Sequence, residues 1–161
     1  MMNESFLGIS IEARTAPAQA EPEITPAQVR AAAMLTEMLR GRYQIAARNC
    51  VTHGQVSVNP SNMLVGHHTD WASAFPFKQL GLPDNYALPS PAVALFGFVF
   101  DASFAQRGGA RLGGGALAAE RELVEGARAA HMTPAAYRQQ LRRRYLQVAP
   151  HHQRAGGGSS A

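Results

Sequence analysis

Hydrophobic and polar positions alternate between two periods along this chain. Phe6-Leu7-Gly8-Ile9-Ser10-Ile11-Glu12 is apolar and β-branched, which predicts a strand. Residues Ala13 to Glu23 are rich in Ala, Pro and Glu and predict a loop. A helix then opens at Thr25. Thr25 is a good N-cap, Pro26 suits the first helical position, and Gln28 completes a capping box. Val29, Ala32, Ala33, Leu35, Thr36 and Leu39 recur at helical spacing, and Gly41 is the expected stop.

A short second strand is predicted at Cys50-Val51-Thr52-His53, and a third strand or buried segment over Val93 to Phe100. Between them, Gly54 to Phe77 reads mostly as loop, with Asn59, Pro60, Asn62, Gly66 and Pro76 as turn residues, and Leu80 to Pro91 as more loop. The run of Gly108, Gly109, Gly113, Gly114 and Gly115 predicts a flexible linker. Two helices follow, one from about Ala116 to Ala130 and one capped by Thr133 with Pro134 first, burying Tyr137, Leu141 and Tyr145. The expected fold class is α/β: a mixed β-sheet flanked by helices over residues 1–105, a Gly-rich linker at 106–115, a helical extension at 116–149 and a disordered tail at 150–161.

Composition narrows the classes. An apolar fraction of 46% suits a packed core. No segment has the roughly 18 consecutive apolar residues of a membrane span. Residues 1–12 have no basic stretch ahead of an apolar one, so no signal peptide is expected. Cys50 is the only cysteine, in an apolar stretch that suits a buried structural thiol. The net charge is +4, and Lys78 is the only cation that is not Arg. Arg142, Arg143 and Arg144 are consecutive in the last helix. They suit either a solvated face or attraction to an anionic polymer. No nucleic-acid-binding signature accompanies them, so no nucleic-acid partner is expected.

The chemistry concentrates in the loop-rich middle, where His53, His67, His68 and Asp70 lie. Imidazole and carboxylate are the ligands a catalytic zinc uses, with one position left for water. His68 and Asp70 are two apart, so an extended backbone points them the same way.

The order of Phe6 to Glu12, then Thr25-Pro26-Ala27-Gln28, then Thr52-His53, then His68-Thr69-Asp70 resembles the second half of the zinc-dependent N-acetylmuramoyl-L-alanine amidases, the type 2 amidase and peptidoglycan recognition protein family. The resemblance covers about residues 3 to 77. It implies a partial amidase fold and a peptidoglycan hydrolase that cuts between muramic acid and L-alanine. It implies Zn2+ as cofactor, His53 and Asp70 as metal ligands, and His68 as the cation that steadies the oxyanion. Val56 and Pro60 match the apolar residue and the proline that follow the family histidine. Ser10 stands where many members carry the general-base Glu, and Glu12 is the candidate replacement. Trp71 is the candidate sugar-stacking residue. His68 as a ligand with Asp70 as its orienter is the other geometry, and His67 is a further candidate ligand.

Trp71-Ala72 replace the Pro-Gly that follows the family's third ligand. The family's first zinc ligand lies before the strand with which this chain nearly begins, so an N-terminally truncated amidase is expected. The resemblance implies peptidoglycan or muropeptide as partner and a periplasmic or extracellular location. The alternatives are a non-catalytic muropeptide-binding module and a partner-binding protein that uses the Arg-rich helices.

Overall fold

A computed structural model describes residues 6–12 and 23–148. The expected tail, His151 and His152 lie outside these residues, as does most of the loop after Glu12. The architecture is a mixture of helices with one small parallel sheet, roughly α/β with a helical C-terminal part. Helix α1 spans Pro26–Tyr43, strand β1 Leu64–Val65, helix α2 Pro91–Ala94, strand β2 Val99–Phe100, helix α3 Ala102–Ala129 and helix α4 Pro134–Val148. Among the described residues no helix is long and apolar enough to cross a membrane.

Helix α1 starts as its sequence dictates. The Thr25 side chain accepts from the Gln28 N–H at 3.3 Å, and the Thr25 N–H donates to Gln28 Oε1 at 2.8 Å. The helix runs past Gly41 to Tyr43, and Gln44 closes it in the left-handed conformation. Ala32 and Thr36 are buried, whereas Leu35 lies off that stripe and is exposed. Helix α4 also starts as expected, with the Ala136 N–H donating to Thr133 Oγ1 at 3.2 Å. Leu141 and Tyr145 are buried, and Tyr137 is half-buried.

The strands differ most from expectation. Residues 6–12 join no sheet; Ile11 and Phe6 pack against the two core clusters instead. Residues 50–53 lead into a turn rather than a strand. The Val93 to Phe100 segment splits into the end of α2 and the two-residue β2. β2 pairs in parallel with β1, Leu64 opposite Val99 and Val65 opposite Phe100. The loop-assigned residues 64–65 therefore supply the sheet's other strand.

The glycine run is not a linker. Residues 106–115 lie inside α3, which is two helical stretches joined at a kink at Gly109, so the divisions expected at 105 and 115 each fall within a helical stretch. Asp101 caps that helix by accepting from the Ser103 N–H at 2.8 Å, and hydrogen bonds from Ser103 hold its carboxyl below the usual range. Of these glycines, Gly115 serves close approach to another segment. A Cβ at Gly115 would lie 2.2 Å from the Tyr86 carbonyl oxygen and 2.5 Å from that of Leu88. A glycine costs a helix about 0.5–1 kcal/mol relative to alanine, and packing of this kind offsets it.

Gly109 kinks α3, with φ 64° and ψ −160°, a conformation that is essentially restricted to glycine. Nothing lies within 4 Å of a Cβ built there, so the cost of a side chain is conformational. Gly109→Ala is expected to destabilise by about 1–3 kcal/mol, a fall of roughly 2–12 °C in melting temperature. Gly113→Ala, also in open space but with helical backbone, should instead raise it slightly. Thermal denaturation of the two variants separates a kink from a flexible tract.

Two apolar clusters form the core. One centres on Phe77, Tyr86, Phe104 and Leu112, the other on Val65, Phe98 and Tyr145, and Phe100 packs against both. Cys50 is half-buried beside the first, and burial pushes its thiol up, in keeping with a structural role. The Arg-rich part of α4 is partly structural. Arg138 donates to the carbonyl oxygens of Gly97 and Phe98 and pairs with Glu120. Arg142 donates to Gly97 O at 2.8 Å and lies over the Phe98 ring. Arg143 and Arg144 are exposed.

Candidate functional site

A buried turn delivers His53. The Thr52 N–H donates to Gln55 Oε1 at 3.0 Å, and the Val56 N–H donates to His53 O at 3.1 Å. Gln55 is fully buried, and its Nε2 donates to Asn85 O at 3.1 Å. Asn85 Nδ2 in turn donates to Ala47 O at 2.8 Å and to Cys50 O. Buried polar groups bonded in this way are anchors, because breaking one strands its partner out of water; Asn85 Oδ1 has no hydrogen-bond partner among the described residues. His53 sits on this anchored turn with its side chain 57% exposed.

Ser57, two residues past Gln55, fixes the other half. Its carbonyl accepts from the N–H groups of Gly66 and His67 at 2.8 and 3.1 Å. Its hydroxyl accepts from the His68 N–H at 3.2 Å. The segment carrying His67, His68 and Asp70 is thereby clamped beside the turn carrying His53. The closeness depends on Gly54 and Gly66. A Cβ at Gly54 would lie 2.7 Å from Phe104 Cε2 and 3.0 Å from Asp70 O, and one at Gly66 would lie 2.3 Å from Phe104 Cβ and Cγ. The Phe104 ring is a floor on which both segments rest.

On this floor the imidazole of His53 meets the carboxylate of Asp70. Nδ1 lies 3.2 Å from Oδ1 and 3.3 Å from Oδ2. An ionised carboxylate only accepts, so Nδ1 carries the proton and Nε2 is left with a lone pair in the neutral ring. His68 stacks on His53 with centroids 4.7 Å apart and ring planes 23° apart, and His67 meets His68 edge-on at 4.9 Å. Asp70 is thus engaged with His53, and no hydrogen bond joins it to His68.

The four residues singled out in the loop-rich middle are therefore brought together. Glu12 is not tied to them. Its backbone carbonyl accepts from Gln28 beside the start of α1, and no hydrogen bond or ion pair links its carboxylate to the histidines. Trp71 follows Asp70 directly, in the left-handed conformation with φ 53°. Its carbonyl accepts from Tyr86 Oη at 2.6 Å, and its half-buried ring meets Phe75 edge-on at 5.3 Å. A bulky residue at positive φ is strained, and strain of this kind gathers at functional segments.

The donors suit zinc in one respect. A carboxylate on Nδ1 is the usual support of a histidine that ligates zinc through Nε2. Among the described residues no three His, Cys, Asp or Glu side chains are grouped to hold one ion. The arrangement is a supported histidine with a second imidazole at its face. Gln55, Ser57 and Asn85, none of them singled out from the sequence, place it. The chain matches no family model, no curated protein and no solved structure.

Proposed function

We propose that this chain works in the hydrolysis of the amide between N-acetylmuramic acid and L-alanine in peptidoglycan, with His53 as its principal zinc ligand. The observation that carries the reading is the meeting of His53 Nδ1 with the Asp70 carboxylate across seventeen positions of sequence. What else supports it is the chain order, from the capped helix α1 through Thr52-His53 to His68-Thr69-Asp70, which resembles part of a type 2 amidase.

In this reading His53 ligates through Nε2, and Asp70 fixes its tautomer and orientation. His68, held by Ser57 against the His53 ring, presents a second imidazole to the same side. When protonated it is a donor for the negative charge that develops on the scissile carbonyl oxygen. Zinc, when bound, supplies polarisation of that carbonyl and acidification of a water molecule. Trp71, next to Asp70 in the chain, is the side chain this reading assigns to packing on a sugar ring.

The test is incubation of the chain with zinc and N-acetylmuramoyl-L-alanyl-D-isoglutamine, followed by mass spectrometry. The reading expects release of L-alanyl-D-isoglutamine and its loss on adding a chelator. Asp70→Asn, which keeps the shape but removes the charge, is expected to weaken zinc binding about 10–100-fold by calorimetry.

A second reading is favoured by one observation: among the described residues no three donor side chains are grouped to hold an ion. In it the same rim binds muropeptide without cutting it. Muropeptide binding that is indifferent to chelator and to His53→Ala, with no released dipeptide, would select this reading over the first.

A further inference from the structure

Two arginines of α3 reach back to the loop that carries Asp70, one on each side of the Gly109 kink. Arg111 is fully committed. Its guanidinium pairs with Asp84 at 3.0 Å, donates to Ser73 O at 2.7 Å and lies 5.3 Å from the Tyr86 ring centroid. It ties α3 to the loop beyond Trp71, and its charge is neutralised.

Arg107 differs. Among the described residues its one hydrogen bond is a long one, 3.4 Å from Nη1 to the hydroxyl of Thr69. Among the described residues no carboxylate pairs with it. It is exposed, and so is Thr69, which sits between His68 and Asp70 in the chain. The only carboxylate in this loop segment, that of Asp70, is turned to His53. A permanent cation and a hydroxyl thus stand together beside His68 and Asp70, and among the described residues no carboxylate pairs with the cation. A guanidinium beside a hydroxyl is a donor set for an oxyanion, whose two oxygens can accept from both.

We infer that Arg107 and Thr69 form an oxyanion-binding element next to His53 and Asp70, and that it takes a carboxylate of a short acidic peptide. That the oxyanion is a peptide carboxylate rests on the muropeptide reading above, whereas the element itself needs neither zinc nor cleavage.

The experiment follows backbone amide signals of the whole chain by NMR during titration with N-acetyl-L-alanyl-D-glutamate, with its diamide, and with inorganic phosphate. The acid is expected to move the Thr69 and Asp70 signals saturably, and the diamide to leave them in place. Arg107→Gln should weaken the response to the acid by at least about fivefold, and Arg107→Lys, which keeps a point charge without the fork, by less. Thr69→Val should weaken it as well. Phosphate that competes with the acid for the same signals supports an oxyanion element. Phosphate that moves them while the acid does not would overturn the peptide assignment. Equal responses to acid and diamide, or a response unchanged in Arg107→Gln, would overturn the element itself. Failure to cleave muropeptide bears on the hydrolytic reading alone and leaves these shifts unaffected.

Discussion

His53→Ala is expected to lower zinc affinity by more than about 100-fold while leaving the fold intact. The first part follows from the role proposed for the side chain. Even the outer partner of a ligating histidine is worth about 10–100-fold in metal affinity, so the ligand itself is worth more. The second part follows from its setting. The side chain is 57% exposed, and the turn beneath it is held by Thr52, Gln55 and Asn85 rather than by the imidazole. Surface substitutions of this kind shift stability by about 0.5 kcal/mol or less. Calorimetric zinc titration together with urea unfolding checks both halves. A His53→Ala chain that binds zinc as well as the parent would remove the metal reading. One that unfolds early would show that the ring, and not the turn, holds the segment.

Phe104→Ala is expected to have the largest effect on stability and to reach the site without touching it. The side chain is fully buried, and it joins the first core cluster to the ring of Phe100 at 5.7 Å. Truncating a buried phenylalanine costs about 3–5 kcal/mol, a large share of the roughly 5–15 kcal/mol that keeps a domain folded. The geometry adds a consequence beyond the cavity. Gly54 and Gly66 both rest on the ring, so its removal frees the His53 turn and the segment clamped by Ser57 at once. Zinc affinity should therefore fall along with stability, whereas Phe104→Leu, which refills part of the space, should recover part of both. Destabilisation with unaltered zinc binding would mean that the two segments hold their relation without the floor.

Parts of this arrangement were legible in the sequence because they rest on local rules. Thr25-Pro26-Ala27-Gln28 and Thr133-Pro134 start helices through bonds within one turn, so the signal and the structure span the same few residues. The clustering of His53, His68 and Asp70 was legible because three metal-type side chains in one loop-rich stretch are unusual. The rest depended on partners far along the chain. The Phe6 to Glu12 segment has the composition of a strand, but a strand needs a neighbour to bond to, and composition does not supply one. The glycines of 108–115 looked like a linker because glycine is usually a breaker. Here the missing Cβ of Gly115 lets a helix lie against the carbonyl oxygens of Tyr86 and Leu88, and Gly109 supplies a kink. Gln55 and Asn85 read as loop residues, since burial of a polar side chain leaves no trace in periodicity. Asp101 was a missed local signal: an acidic residue directly before Ala102-Ser103 is an ordinary helix cap.

The most direct test is a long-range 1H–15N NMR spectrum of the imidazoles, recorded at neutral pH before and after one equivalent of zinc. His53 should hold its proton on Nδ1, facing Asp70, and zinc should shift its Nε2 resonance while Nδ1 keeps its proton. A proton found on Nε2, or a His53 resonance that zinc leaves unmoved, would contradict the reading of His53 and Asp70 as a supported metal ligand.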